Sequence, residues 1–168
     1  MSKEQRPELF MPPNILKAKV GGTIAGLDMA AVKRAEAAME TIKVEFVDWI
    51  AGDIARLGGT CEAFAAVRDQ ATHDDLFRAS HDLKGQAATF EYPLVARVAS
   101  SLCKLIDELK SPETIALSVI EAHVDAIRVI FRDKIKDISN VTALTLVEEL
   151  EARVRDCLER AAHRTKRT

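Results

Sequence analysis

The residues best placed to do chemistry in this 168-residue chain are His81, Lys84 and Gly85, which form an H-x-x-K-G motif. Histidine in water is largely neutral at pH 7, and the neutral imidazole ring is a nucleophile. Lys84 follows about one helical turn later, so its ammonium group can offset the charge of an incoming phosphoryl group. Arg78, about one turn earlier, is a candidate supporting cation. This spacing indicates a histidine that accepts and donates a phosphoryl group.

A helix must position these side chains, and helical periodicity separates two faces. At about 100° per residue, an apolar set lies opposite His81, while mostly cationic or small residues lie beside it. The apolar set is Leu76, Leu83, Ala87 and Phe90, and the set beside His81 is Phe77, Arg78, Lys84, Gly85 and Ala88. The helix is therefore predicted to bury its leucines and expose the imidazole, with room for another protein's backbone.

The pattern resembles the histidine-phosphotransfer (HPt) domain family of multistep phosphorelays. In that family the H-x-x-K-G motif is followed by small residues, here Ala87 and Ala88, and then by another helix. The similarity is sharpest over about 70–110 and looser over about 28–137. Glu91 is a departure, because the family commonly has a glycine in the turn after the histidine helix.

The resemblance implies a phosphocarrier in which His81 is the phosphoacceptor, Lys84 stabilises the transferred charge and Arg78 supports it. It implies receiver domains of response regulators and hybrid histidine kinases as partners. The residues expected to contact these partners are Phe77, Gly85, Ala88 and Leu94. The carrier is expected to need no cofactor or metal of its own, and Mg²⁺ is expected on the partner receiver domain.

Two alternatives stay open beside this interpretation. The first is a non-catalytic module that binds or sequesters receivers and in which His81 is vestigial; Glu91 favours it slightly. The second is the phosphotransferase domain of a kinase-like protein, dimerised through its C-terminal helix. A plain structural bundle fits poorly with an exposed H-x-x-K-G face.

Composition predicts a folded all-α protein. Apolar residues make up 48% and aromatic residues 5%, and the chain has only 7 glycines and 5 prolines. A net charge of −2 gives no general attraction to nucleic acid or membranes. Three distant cysteines, the absence of a long apolar run and a polar beginning predict free thiols and a cytoplasmic location.

The motifs that the sequence lacks narrow the function further. There is no G-x-x-x-x-G-K-[ST] nucleotide loop, so the chain is not expected to phosphorylate itself. There is also no H-E-x-x-H or E-x-x-H pair for a metal site. The other histidines, His73, His123 and His163, lack such neighbours and are interpreted as structural or solvated residues.

The predicted fold is an antiparallel up-down four-helix bundle with an N-terminal arm and an additional C-terminal helix. The arm covers 1–27, the bundle 28–138, and the C-terminal helix with its basic tail 139–168. Asp28 is the predicted N-cap of a first helix, which Gly58-Gly59 should weaken or break, and the pattern leaves open whether 28–69 forms one helix or two. Its predicted apolar stripe runs Val32, Ala35, Met39, Ile42, Phe46, Trp49, Ile50, Ile54 and Leu57.

The later helices are predicted at 72–88, 92–109, 112–137 and 141–163. Thr72 is the expected cap of the histidine helix, and Ser111 with Pro112 is expected to start the fourth helix. The last helix is strongly amphipathic. It is interpreted as extra packing on the bundle, and a dimer seam or partner-docking helix is the alternative.

Overall fold

The computed structural model describes residues 29–165, except for the side chains of residues 40, 42–45 and 165. The five α-helices in this range are α1 (Met29–Ala66), α2 (Gln70–Thr89), α3 (Pro93–Glu108), α4 (Leu117–Arg132) and α5 (Val141–Thr165). A short 3₁₀ helix, Pro112–Thr114, precedes α4. The described residues contain no strand, which confirms the all-α prediction. The predicted arm and the Asp28 cap lie outside the described residues.

The chain divides into two compact units, Met1–Ile42 and Lys43–Thr168. In the first unit the described residues form the beginning of α1, where the predicted stripe residue Met39 is exposed. In the second unit Trp49 is also exposed, while Ile50, Ile54 and Leu57 are buried. Of the stripe residues whose side chains are described, those from Ile50 onward are core, and the prediction was wrong for the exposed residues Ala35, Met39 and Trp49.

The glycine pair does not break α1, which decides between the one helix and the two helices that the sequence left open. Gly58 is buried, and a Cβ built on it would collide with the guanidinium of Arg128 on α4. Glycine at this position thus leaves room for the end of the Arg128 side chain. The helix continues through both residues although glycine costs about 1 kcal/mol relative to alanine in a helix interior.

The histidine helix α2 begins earlier than predicted. Asp69, not Thr72, is its N-cap: the Asp69 carboxylate accepts a hydrogen bond from the Thr72 N–H at 2.8 Å. The Thr72 hydroxyl in turn accepts from the Asp69 N–H at 3.4 Å, which completes a capping box. Thr72 is the third residue of α2, and its hydroxyl supports the cap by accepting the Asp69 N–H.

The turn between α2 and α3 is tight. The Tyr92 N–H donates to the Ala87 carbonyl at 2.9 Å, as in a Schellman helix ending. Glu91 sits in the left-handed position of this ending with φ of 64°. Pro93 then occupies the start of α3, where its missing N–H costs nothing. A three-residue connection of this kind makes α2 and α3 antiparallel neighbours.

The fourth bundle helix is shorter than the predicted 112–137. Ser111 and Pro112 begin a single 3₁₀ turn, and α4 itself runs only from Leu117 to Arg132. At its other end the Ile135 N–H donates to the Ile130 carbonyl at 3.0 Å, and Lys134 has φ of 52°. This second Schellman ending stops the helix before the predicted boundary.

The C-terminal helix α5 packs on α3 and α4 within the same chain. Asn140 caps it by accepting the Ala143 N–H at 3.0 Å. Val147, Leu150 and Val154 are buried in the common core. The packing interpretation of this helix is therefore confirmed, and a dimer would have to use another face of it.

The core of the second unit is aliphatic and joins all five helices. Its largest fully buried side chains are Phe64, Ile50, Leu57, Leu76, Leu83, Leu94, Leu102, Leu105, Ile106, Ile115, Ile120 and Ile127. No helix of the described residues is long and apolar enough to cross a membrane.

Candidate functional site

His81 stands on the outer face of α2. Leu76, Leu83 and Ala87 are completely buried on the opposite face, which fixes the rotation of the helix. The His81 side chain is 65% exposed, and its ring lies 6.1 Å from the half-buried Phe77 ring, centroid to centroid. The structure therefore presents the imidazole to solvent, as the helical pattern predicts.

The imidazole lines a shallow groove of about 340 Å³ between α2 and α3. Helix α2 contributes His81, Lys84, Gly85 and Ala88, and α3 contributes Ala96, Arg97 and Ser100. The groove brings a nucleophile, two cations and a hydroxyl to one place, between walls of small residues. An anion that reaches the ring would meet positive charge from both helices.

The carboxylates nearest in sequence to His81 are held by other cations. Asp82 pairs with Arg56 of α1 at 2.9 Å, and its other oxygen lies 4.0 Å from the His81 Nδ1 atom. The second distance is too long for a hydrogen bond. Arg78 pairs with Asp75 at 3.5 Å and does not line the groove. The supporting role of Arg78 stays a prediction, and in the structure its guanidinium lies beside Asp75.

The predicted docking residues divide in two groups. Gly85 and Ala88 are exposed in the groove, and Phe77 is half-buried beside His81. Leu94 is 0% exposed, so its assignment to the docking surface was wrong. Leu94 is the second residue of α3 and points into the core, because the tight turn at Glu91 fixes the rotation of that helix.

Sequence reasoning missed all three groove residues of α3, and Arg97 is the charged one among them. Its guanidinium forms two bonds to the Glu151 carboxylate of α5, Nε to Oε1 at 3.2 Å and Nη2 to Oε2 at 2.9 Å. The sequence does contain a signal that Arg97 lies near Gly85, because the two residues are equally far from Glu91 in the turn. Antiparallel helices joined by a tight turn place such residues opposite each other.

Two of the other histidines are structural. The His73 Nε2 atom lies 3.1 Å from the Ile106 carbonyl, so the start of α2 contacts the end of α3. The buried His123 ring lies between the Val119 carbonyl at 2.7 Å and the Ser101 hydroxyl at 3.2 Å. Burial lowers the pKa of His123 below its ordinary value. Within the described residues, no cluster of three or more His, Cys, Asp or Glu side chains could hold a metal ion.

Comparison with known protein families matches residues 41–140 to the Hpt domain. This match covers more than half of the chain and includes α2, α3, α4 and the groove. The chain belongs to the Hpt domain family, whose function at family level is histidine phosphotransfer in phosphorelays. Comparisons with curated proteins and with solved structures found no match.

Proposed function

We propose that this protein carries a phosphoryl group on His81 between receiver domains in a two-component phosphorelay. The observation that supports the proposal best is the position of the motif histidine. His81 is 65% exposed and opens into a groove that also holds Lys84. Receiver domains interact with Hpt domains at family level, and the donor and acceptor receivers are part of the proposal.

The transfer is a displacement at phosphorus. The unprotonated nitrogen of His81 attacks the phosphorus of a receiver's aspartyl phosphate, and an N–P bond forms while the P–O bond breaks. The electron pair of the broken bond stays on the aspartate carboxylate of the receiver. Mg²⁺ and acidic residues of the receiver would supply most of the electrostatic stabilisation. The reverse reaction on a second receiver regenerates the free imidazole.

Lys84 is assigned to the transferred charge. It lies on the same wall of the groove as His81, one turn further along α2. A phosphoryl group on the ring would carry negative oxygens, and an ammonium group beside them lowers the cost of bringing that charge onto the protein.

The open space over Gly85 and Ala88 suits the close approach of a partner. A Cβ built on Gly85 would meet no atom within 4 Å, so the chain's own packing does not require glycine there. Half-buried Phe77 offers an apolar contact at the edge of the same face. We therefore propose Phe77, Gly85 and Ala88 as docking residues.

The alternative of a vestigial histidine was suggested by Glu91. In the structure Glu91 adopts the left-handed conformation that a glycine would take at this turn, with φ of 64°. Its carboxylate lies 3.9 Å from the Lys136 ammonium group and does not line the His81 groove. The charge of Glu91 therefore lies outside the His81 groove, which supports the carrier over the non-catalytic module.

A transfer assay tests the proposal. Wild-type protein incubated with a panel of phosphorylated receivers should take up acid-labile phosphate, and His81→Gln should take up none. Lys84→Ala should take up phosphate about tenfold more slowly, because it loses one charge-assisted contact at an exposed site. Its circular dichroism spectrum should be unchanged. Receiver binding by wild type without transfer would instead support the sequestering module. An unchanged rate in Lys84→Ala would remove the role assigned to Lys84.

The bundle boundaries of 28–138, the C-terminal segment of 139–168 and a cytoplasmic location belong to the same proposal. We also propose that the carrier needs no cofactor of its own and that the partner receiver domain holds the Mg²⁺ ion.

A further inference from the structure

Arg97 lines two grooves at once. On one side it faces the His81 groove between α2 and α3. On the other it faces a second groove of about 310 Å³ between α3 and α5, which also includes Lys104, Glu151 and Arg155. Arg97 and Ser100 are common to both, so they form the ridge between the two grooves. A side chain on this ridge can interact with either groove.

In the unphosphorylated protein the Arg97 guanidinium interacts with the α5 side. The two bonds to Glu151 use its Nε and Nη2 atoms, and Nη1 takes no part in the pair. The Arg97 side chain is 41% exposed and that of Glu151 is 30% exposed. Water reaches both side chains, so the guanidinium can leave Glu151 for another anion without passing through a dry, buried state.

We propose that Arg97 is a second phosphoryl-binding residue, and that Glu151 competes with the phosphohistidine for its guanidinium. This inference rests on the proposed phosphotransfer at His81. A phosphoryl group offers more oxygen acceptors and more negative charge than a carboxylate, and a guanidinium binds it in the same two-bond geometry. The small residues Gly85, Ala88 and Ala96 leave the space between the ring and the guanidinium open.

The competition makes α5 part of the phosphotransfer equilibrium. Glu151 lies outside the residues 41–140 that match the Hpt domain, so this effect comes from the additional helix. When Glu151 holds Arg97, phosphorylated His81 lacks its second cation and the group passes on to a receiver more readily. When Arg97 turns to the phosphoryl group, the phosphorylated carrier is favoured.

The test measures the equilibrium ratio of phosphorylated His81 to phosphorylated receiver aspartate in a closed mixture of carrier and one receiver. Arg97→Gln should lower this ratio about tenfold, the lower end for a lost charge-assisted hydrogen bond. Glu151→Gln should raise it about threefold, because it removes a competing exposed pair. The double variant should match Arg97→Gln, since Glu151 acts through Arg97.

Two controls separate this competition from general charge and folding effects. Glu148→Gln removes the same charge from an exposed position of α5 and should leave the ratio unchanged. Arg97→Lys keeps a cation without the two-bond geometry and should lower the ratio less than Arg97→Gln does.

The outcomes distinguish the competition from the carrier function itself. Opposite shifts in Arg97→Gln and Glu151→Gln support the competition. If both variants lower the ratio, the pair only joins α3 to α5 and the competition is wrong. A wild-type ratio in Arg97→Gln also overturns it, while phosphotransfer at His81 stands. If wild-type protein takes no phosphate on His81, the proposed function and the competition are both overturned.

Discussion

The turn after the histidine helix holds an L-residue where glycine is favoured. Glu91 has φ of 64°, in the position of the α2 Schellman ending that most often carries glycine. In this region the Cβ atom crowds the following carbonyl oxygen, which costs about 1–2 kcal/mol. Glu91→Gly removes the Cβ and therefore this strain.

The gain is smaller than the strain, because glycine also gives the unfolded chain more freedom. That effect offsets about 0.4–1 kcal/mol of the gain. The lost ion pair with Lys136 has little effect, since the Glu91 side chain is 84% exposed and the charged groups are 3.9 Å apart. The difference between the midpoints of these two ranges makes the variant more stable by about 0.8 kcal/mol.

Urea unfolding followed by circular dichroism measures this difference. For a slope of about 2 kcal/mol/M, the unfolding midpoint of Glu91→Gly should rise by about 0.4 M. Glu91→Gln is the matched control, because it loses the charge but keeps the Cβ and should unfold near the wild-type midpoint. A Glu91→Gly midpoint at or below that of Glu91→Gln would refute the strain.

Two further predictions concern Gly85 and His123. Gly85→Ala should raise the free energy of unfolding by about 1 kcal/mol but slow phosphotransfer, because the new methyl group fills the docking space. In the control Gly59→Ala the new methyl group also meets no atom within 4 Å, so this variant should be more stable and transfer phosphate at the wild-type rate. Because burial lowers the pKa of His123, the unfolded chain takes up a proton first as the pH falls below about 6.5, so stability is lost on acidification. Urea unfolding at pH 7.5 and 5.5 should show a smaller loss in His123→Gln than in wild type, and equal losses would contradict the burial effect.

The sequence predicted the orientation of His81 because that orientation depends on one helix only. A helical period of 3.6 residues places Leu83 and Ala87 opposite the ring, and their burial turns His81 outward. The cap of α2 was misplaced for a local reason. Thr72 and Asp69 are both good cap residues, and only the reciprocal hydrogen bonds between them decide which one caps.

Features that depend on two helices could not be predicted from local patterns. Gly58-Gly59 lowers the local helix propensity, yet α1 continues through the pair, and the Arg128 side chain of α4 occupies the space beside Gly58. Leu94 follows the turn and seemed to lie at the rim, but the rotation of α3 buries it. Arg97 was missed because its role depends on Glu151, which is 54 residues away in the chain.

The central claim is that His81 carries the phosphoryl group, and mapping the labelled residue tests it most directly. Wild-type protein is incubated with a phosphorylated receiver, digested at neutral or mildly alkaline pH and analysed by mass spectrometry. The account predicts acid-labile phosphate on His81 and none on His73, His123 or His163. Label on another residue, or acid-labile label retained in His81→Gln, would contradict it.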